Sequence, residues 1–590
     1  MNRPAVMPRS SVGAIFTVSR NLPKCFWICI AIVFVKVNES KRHQIAYYKM
    51  FLAITNLAKE IRMYIKKSLQ FVLALLLSLV LLISPACTST STAPSMVQSY
   101  VIADPTGDWG YPSPYLRYAR GPGYIRSSFI FDTLIWRDKS NFTPALAKEW
   151  SYDEAENAYT FKLQENAVWH DGTPFTAEDV AFTVEYLKKH PDPFVTLVGP
   201  SGISRAEVVD DHTVKLYLES KYAPFLYEVA GTMVILPEHI WKSVDNPMSF
   251  DSPETVIGTG PYMLVDYNKA QGTYLYKSYD NYYQGKPIAD QIVFVKVSDE
   301  MVTSALIQGE VNAASILPEM VDNMKASDFT VISCPYGWCA KLTINHKKEP
   351  LNDKRFRQAM AYAIDRQSMV DITQRGHAIP GSQGLLPPNN RWYNPNIEQY
   401  NYDPDKVRQL LGELGYELNN DGYLSKDNKI LELELITQTA YGFKDVGQFI
   451  KDNLEDVGIK TNLIVLEGKS LDAKVETWDF DISIYGHGGL YEPSILPKII
   501  TGQGFNSARY TSNDRLNRVL EDQLHEMDPD ARLQMVQGAQ ALYAEDIPAI
   551  TLYYPDWYWA HDGKIDIYYP DEGVASGIPI PLNKSAFVGK

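Results

Sequence analysis

The adjacent His170 and Asp171 are the residues whose types most readily suggest catalysis, since an imidazole beside a carboxylate resembles a general base with its orienting acid. Neighbouring residues do not share one face of an element, however, and a catalytic pair also needs a nucleophile within hydrogen-bond reach. The sequence contains no Gly-x-Ser-x-Gly elbow that would supply one. We therefore interpret this segment as an Asp-Gly turn that leads into a helix, and we expect no enzyme activity.

The five cysteines suggest neither a disulfide-stabilised scaffold nor a zinc site. They are Cys25, Cys29, Cys87, Cys334 and Cys339, which are few and scattered for a chain of 590 residues. The last two are spaced Cys-x4-Cys, but no second pair of cysteines or histidines follows at ligand spacing, so we expect no metal there. Residues five apart on a strand point to opposite faces, and a disulfide between these two would need a bulge.

The segment Gly258–Pro261 has the glycines of a phosphate-binding loop but not its chemistry. It lacks the Gly-Lys-Ser/Thr ending, and Pro261 removes a backbone N–H that such a loop would use. The segment therefore predicts a sharp turn between two apolar runs.

The composition indicates a globular protein of more than one domain. The chain exceeds the roughly 250 to 300 residues at which single cores stop growing. Hydrophobic residues make up 45% and charged residues 21%, which is typical of neither a disordered chain nor a polytopic membrane protein. The net charge of -14 argues against nucleic acid as a partner, because phosphate binding requires a basic surface.

The segment 63–87 is predicted to be a lipoprotein signal peptide. Lys66 and Lys67 precede the 13-residue apolar run Phe71–Ile83, which is shorter than the ~20 residues that cross a bilayer. Small residues follow the run, and Cys87 stands where the lipid-accepting thiol of such a signal would be. The alternative is an ordinary cleaved signal that releases a soluble protein. Met63 is the expected start, which leaves residues 1–62 as an upstream extension outside the mature protein.

The elements expected after the signal alternate between strands and helices, which predicts an α/β fold. Ala158–Leu163 and Thr213–Leu218 alternate like half-buried strands. Thr176 is a predicted N-cap for a helix that runs to about Lys189, because acidic residues follow it in the first turn. Further helices are predicted over 354–363 and 404–414.

Four stretches, in order along the chain, resemble the peptide- and nickel-binding extracellular solute-binding proteins of family 5, the receptors of ATP-binding-cassette (ABC) importers. The stretches are Pro144–Trp150 with Trp169–Thr183, Gly258–Tyr262 with Asn281–Pro287, Asn345–Arg366 and Tyr402–Tyr416. The resemblance covers nearly everything after Ser95. It implies a two-lobed periplasmic-binding-protein-like α/β fold, with an extra subdomain in the N-terminal lobe and a ligand closed between the lobes.

The resemblance also implies a division of the exported chain. The expected parts are a flexible tether over 88–96, an N-terminal lobe over 97–350 with an inserted subdomain at about 126–254, a second lobe over 351–553, and a C-terminal return to the first lobe over 554–590.

Two stretches are expected to line the cleft. By resemblance, Tyr336 and Trp338 lie near the hinge where oligopeptide binders contact the ligand backbone, although aromatic residues in a buried core are the alternative. The second stretch, 481–493, contributes the predicted ligand-binding residues Tyr485, His487, Tyr491 and Glu492.

The second stretch departs from the pattern of its relatives. Many peptide binders carry an aspartate there that pairs with the α-amine of the ligand, and Leu490 occupies that position here. An unpaired ammonium in a dry cleft costs several kcal/mol or so, which puts ordinary free-amine peptides in doubt. Glu492 is a possible replacement for the carboxylate. His487 is a possible metal contact, since a neutral imidazole can ligate a metal and nickel-binding relatives also lack the aspartate.

We therefore expect an extracytoplasmic solute-binding lipoprotein that captures a peptide-like ligand and delivers it to an ABC permease and ATPase complex. A receptor for nickel or a metal chelate is the first alternative, sugar oligomers are a further one, and a secreted enzyme of unknown reaction is the alternative from another class. The other expectations are a monomer, no catalytic residue, no resident metal, no cofactor, and membrane attachment through Cys87.

Overall fold

The computed structural model describes residues 96–139, 141–191, 202–335, 337–439, 442–504 and 506–589. The expected signal peptide, its Cys87 and the predicted cleft residue Tyr336 lie outside these ranges. Among the helices described, none combines the length and apolar character that a membrane span requires.

The described chain alternates strands and helices, as the sequence predicts. The strands are β1 (Tyr100–Asp104), β2 (Ile135–Arg137), β3 (Phe142–Pro144), β4 (Ala147–Asp153), β5 (Ala158–Leu163), β6 (Ile203–Asp210), β7 (Thr213–Leu218), β8 (Tyr262–Asn268), β9 (Thr273–Ser278), β10 (Gln291–Lys296), β11 (Ala313–Ile316), β12 (Thr330–Pro335), β13 (Trp338–Ile344), β14 (Ala378–Pro380), β15 (Glu417–Leu418), β16 (Leu424–Lys426), β17 (Lys429–Ile430), β18 (Glu432–Gln438), β19 (Lys460–Leu466), β20 (Ile482–Gly488) and β21 (Ala549–His561).

The α-helices are α1 (Gly121–Ser128), α2 (Ala177–Lys189), α3 (Glu238–Trp241), α4 (Asp299–Ile307), α5 (Val321–Ala326), α6 (Lys354–Ala363), α7 (Arg366–Thr373), α8 (Pro404–Glu413), α9 (Phe443–Asp456), α10 (Gly468–Thr477), α11 (Ile495–Ile500), α12 (Asp514–Asp522) and α13 (Pro529–Asp546).

Several of these elements confirm the sequence predictions. Strands β5 and β7 have the predicted bounds, and α2 begins after Thr176 with the expected capping box, in which Asp179 accepts a hydrogen bond from the Thr176 N–H at 3.0 Å. Helix α6 also has its predicted bounds. Helix α8 ends one residue earlier than predicted, and Leu414 is its C-cap.

The two lobes are built on two halves of one continuous hydrogen-bonded path of strands. The order is β19-β18-β20-β13-β21-β11-β1-β10-β9-β8, and β12 and β14 also pair with β21. The first part of β21 pairs with β13, and its last part pairs with β11 and β12. Strand β21 therefore runs from the second-lobe sheet into the first-lobe sheet.

Each lobe has its own hydrophobic core. The core of the first lobe includes Tyr100, Phe129 and Phe294, together with Phe587 from the C-terminal return. The core of the second lobe forms on a separate set that includes Phe356 and Ile450. Two lobes with independent cores are the architecture that the family resemblance implies.

Strands β12 and β13 pair with different parts of β21. Strand β12 pairs with the first-lobe part of β21, whereas β13 pairs with β20 and with the second-lobe part of β21. Strand β13 therefore already pairs within the second sheet, although it precedes the predicted lobe boundary at 351.

A separate four-stranded sheet lies inside the range expected for the inserted subdomain. Its order is β4-β5-β7-β6, and it does not join the main path of strands. The segment after β7 reaches the second lobe, where the Ala223 N–H donates to the Leu524 carbonyl at 2.8 Å.

Candidate functional site

The suspected catalytic pair does not form a pair in the structure. The His170 Nε2 lies 2.9 Å from the Gly260 carbonyl, and its Nδ1 accepts from the Gly258 N–H at 3.3 Å. Asp171 instead lies 2.8 Å from the His239 Nε2. Burial lowers the pKa of His170 to about 4. The imidazole is therefore neutral and ties the 258–261 turn to the segment before α2.

Strand β20 and the loop after it position the predicted ligand-binding residues at the crossing between the lobes. Strand β13 pairs with β20 so that Trp338 lies opposite Gly488, Cys339 opposite His487 and Lys341 opposite Tyr485. Directly opposed residues share a face of the sheet, and successive residues alternate. Tyr485 and His487 therefore share one face with Lys341, and Trp338 lies on the other face.

Trp338 forms an aromatic wall beside the crossing. Its ring stacks on Phe443 of α9 with centroids 6.0 Å apart, and the ring of Trp557 from β21 lies 6.1 Å away. Gly486 makes room for this wall, because a Cβ at that position would fall on the Trp338 ring. Trp338 is half-buried and Trp557 is 37% exposed, so part of the wall remains accessible.

Tyr491 joins the two lobes through the crossing segment. Its hydroxyl lies 3.1 Å from the Cys334 Sγ of β12. A Cβ at Gly337 would meet this hydroxyl, so the contact depends on the glycine. Cys334 and Cys339 are both buried free thiols. Burial raises the pKa of Cys334 to about 11 and that of Cys339 to about 12, so neither is a reactive thiolate at neutral pH.

Tyr485 is a second contact between the lobes. Its hydroxyl donates to the Asp472 carboxylate of α10 at 2.6 Å. Burial raises the pKa of Tyr485, the Asp472 carboxylate adds to the effect, and Arg120 from the first lobe opposes it with its charge and a hydrogen bond. The ring is thus held between a carboxylate of one lobe and a guanidinium of the other.

His487 is buried on the interior face of the second-lobe sheet, with 4% of its surface exposed. Its Nε2 lies 3.5 Å from the Cys339 Sγ. Burial and the charge of Lys341 together hold the pKa of His487 well below its usual value. The imidazole is therefore neutral.

Glu492 already has basic partners. It forms a buried ion pair with Arg532, and Arg391 lies 3.8 Å from its second oxygen. Burial raises the pKa of Glu492, and Arg532 and Arg391 act in the opposite direction. The carboxylate that was considered a replacement for the missing aspartate is thus engaged within the second lobe. Leu490 is fully buried in an apolar cluster, so it offers no polar contact either.

Charged contacts between the lobes continue beyond this loop. Glu228 of the first lobe accepts hydrogen bonds from Ser494 at 2.8 Å and from Lys498 at 2.9 Å in the second lobe. Glu572 lies 2.8 Å from Arg137 in its own lobe and 3.6 Å from Arg391 in the other. The structure therefore holds the two lobes in contact through ion pairs.

Most of these partners carry no signal in the sequence. Glu228 and Lys498 are 270 residues apart, so no local pattern links them. Lys341 did carry a signal, since a lysine in the middle of the apolar strand β13 has few ways to reach solvent.

Comparison with known families gives the assignment. The model of the bacterial extracellular solute-binding proteins, family 5 (its middle region), matches residues 141–495, which is more than half of the chain. The chain belongs to this family. Among curated family relatives, the dipeptide-binding protein of Escherichia coli (strain K12) is 30% identical over 300 residues, which is 46% of this chain and 55% of that protein. The match thus spans little more than half the length of that relative.

Solved structures share the two-lobed fold of this family 5 chain. NikZ from Campylobacter jejuni in complex with Ni(L-His) superposes with a TM-score of 0.72 at 22% identity and covers 84% of this chain and all (100%) of that chain. The oligopeptide-binding protein AppA from Bacillus subtilis, in complex with a nonapeptide, superposes with a TM-score of 0.69 at 22% identity. The match covers 83% of this chain and 99% of that chain. At these identities the likeness establishes the fold.

Proposed function

We propose that this protein is the extracytoplasmic receptor of an ABC importer, which captures a peptide-like solute between its lobes and hands it unaltered to a membrane permease. The observation that carries the proposal is the family 5 match over 141–495 on a chain whose two sheets share strand β21. Two lobes joined by a few strands can open and close around a solute, which is how such receptors work.

The preference for a peptide rests on the relatives and on the aromatic wall. Relatives include a dipeptide-binding protein and a structure with a bound nonapeptide. The partly accessible rings of Trp338 and Trp557 offer flat apolar surface at the crossing, which suits peptide side chains of varied shape. We also propose Tyr336, Tyr485 and Tyr491 as ligand contacts, with Tyr485 on the face of the sheet opposite Trp338.

The loop after β20 narrows the class of peptide. Leu490 is buried, and Glu492 is paired with Arg532, so this loop presents no unpaired carboxylate to a free α-amine. We therefore propose a peptide whose amine is blocked or bound elsewhere in the cleft. In this proposal Glu492 positions the loop through its ion pair with Arg532 and does not contact the solute directly.

A nickel or metal-chelate receptor is the second candidate. The neutral imidazole of His487 is in the protonation state that ligates metals, and a structural relative was solved with Ni(L-His). Among the described residues, no cluster of three metal-ligating side chains is present. A chelate would thus have to bring most of its ligands with it.

Ligand class can be decided by thermal stabilisation of the mature protein. We expect a mixture of short peptides to raise the melting temperature, because a solute that binds only the folded state stabilises it. Nickel with and without histidine, and cello-oligosaccharides, serve as the competing arms. Stabilisation by nickel with histidine and not by peptides would replace the first candidate with the second. Turnover of a peptide without stabilisation would refute the receptor.

The aromatic wall can be tested with a matched pair of variants. We expect Trp338→Ala to weaken binding of a stabilising peptide by about tenfold, as truncation of a central interface aromatic does. Tyr402→Ala is the control, since this ring is 41% exposed just before α8. Equal affinities for the two variants would remove the wall from the site.

Membrane attachment through Cys87 is part of the same proposal. We expect the wild-type protein, expressed in a bacterium, to incorporate a radiolabelled fatty acid and to fractionate with membranes. Cys87→Ala should lose both properties. If the wild-type protein is instead released without labelled lipid, the signal is an ordinary cleaved one.

A further inference from the structure

Lys341 is a buried cation whose surroundings point to an anion. It lies in the middle of β13 and is 1% exposed. Its Nζ donates to the Asn506 carbonyl at 2.6 Å, and within the described part of the chain no carboxylate pairs with it. Burial lowers the pKa of Lys341 to about 8, because an ammonium away from water loses its solvation.

A second buried lysine, Lys584, shows that this fold can provide a carboxylate partner for a buried ammonium. Lys584 is also almost fully buried, and it forms an ion pair with Asp132, which is 0% exposed. Buried charges are paired in this way because an isolated one is expensive. Lys341 differs from Lys584 in having only a carbonyl dipole as its described partner.

Polar side chains surround Lys341 on the same face of the sheet. Thr551 of β21 and Tyr485 of β20 lie directly opposite it, and Thr343 and Ser483 form the next row, roughly 7 Å along the strand. The hydroxyls of Thr343, Ser483 and Thr551 are buried and have no hydrogen-bond partner among the residues that the structure describes. Buried hydroxyls without a partner are uncommon in folded proteins, so three on the face that carries Lys341 call for a non-protein partner there.

Lys341 and the three hydroxyls together favour a ligand that accepts hydrogen bonds. This set consists of one ammonium and three hydroxyls that can donate, with the neutral His487 in the row beyond. Such a donor set matches the oxygens of a small anionic group.

The face also borders the contact between the lobes. Tyr485, directly opposite Lys341, is the residue that Arg120 of the first lobe reaches. The face that carries Lys341 therefore meets the first lobe at Tyr485.

We propose that Lys341, with the hydroxyls of Thr343, Ser483 and Thr551, binds a carboxylate-sized anionic group. The group is either a free small anion or a carboxylate of the transported solute, and the second source rests on the proposed transport function. In the second case the site selects solutes that carry an acid group.

The anion site is tested first with formate and acetate, with sodium chloride as the reference salt at equal ionic strength. We expect both carboxylates to raise the melting temperature of the wild type in a saturable way, by ~1 °C at about ten times the dissociation constant. Lys341→Met should lose the response. Lys348→Met, which removes an exposed lysine paired with Asp481, should keep it. If formate and acetate change the melting temperature of the wild type no more than chloride does, the proposal is overturned.

A second variant keeps the test informative if Lys341→Met does not fold. Thr551→Val removes one hydroxyl while preserving the side-chain shape, and we expect it to weaken the formate response about fivefold. An unchanged response in Thr551→Val would remove this hydroxyl from the site and contradict the proposed set.

The source of the anionic group is decided with matched peptides that end in a free acid or an amide. A wild-type preference for the acid that disappears in Lys341→Met identifies the solute carboxylate. Equal binding of both peptides, together with the formate response, identifies a free anion. If no peptide binds but formate still acts through Lys341, the transport proposal fails and the anion site stands.

Discussion

The contact of Glu228 with Ser494 and Lys498 gives the most specific prediction about lobe closure. Glu228 lies on the first lobe, is 6% exposed, and holds two hydrogen bonds from the second lobe at 2.8 and 2.9 Å. Glu228→Gln keeps the shape of the side chain and removes its charge. The variant should therefore weaken the closed arrangement without disturbing either core.

The expected size of the effect follows from the burial of the two partners. A hydrogen bond to a charged group contributes about 1.5–3 kcal/mol when buried. The Lys498 side chain is 33% exposed. Water can therefore solvate the Lys498 ammonium in part when the Glu228 charge is removed, which reduces the cost. We therefore expect the closed state to lose about 1–2 kcal/mol, which reduces the ratio of closed to open molecules about fivefold to thirtyfold.

The assay is single-molecule energy transfer between one label on each lobe, with no solute added. We expect Glu228→Gln to shift the population towards the larger interlobe distance. The control is Glu149→Gln, which removes the charge from an exposed pair with Lys162 inside the subdomain sheet, and it should leave the distribution unchanged. Identical distributions for wild type and Glu228→Gln would show that this contact does not hold the lobes together.

Three further predictions concern stability and are measured by urea unfolding. Gly486→Ala should destabilise the protein by about 1–3 kcal/mol, because the added methyl group displaces the Trp338 ring. Lys584→Met should cost about 3–5 kcal/mol, since it leaves Asp132 buried without its cation; a loss under 1 kcal/mol would contradict that. His170 has a folded pKa of about 4 against 6.5 when unfolded, so the unfolded state takes up its proton first as the pH falls. Stability should drop between pH 6.5 and 4 by up to about 3 kcal/mol, and His170→Gln should flatten this drop; equal slopes would contradict the assignment.

Much of the fold could be predicted because its signals are local. The capping box at Thr176 and Asp179 lies within four residues, and the alternation of β5 is visible in six. The turn interpretation of the 170–174 segment is also confirmed, since the Gly172 N–H donates to the Trp169 carbonyl at 2.8 Å.

The site was less predictable because its contacts join distant parts of the chain. Glu492 looked like an available carboxylate in sequence, but Arg532 neutralises it from 40 residues away. The sheet to which β13 belongs was hidden for a related reason, because its partners β20 and β21 come much later in the chain. The lobe boundary at 351 stays a prediction. The ligand roles of Trp338 and His487 stay predictions.

The most direct test of the account is the interlobe distance of the mature protein during titration with a peptide that stabilises it. We expect a saturable shift towards the closed distance at the same concentration that raises the melting temperature, with the peptide recovered intact by mass spectrometry afterwards. A distance that does not change on binding, or a peptide recovered in altered form, would contradict a receptor that closes on its solute and releases it unchanged.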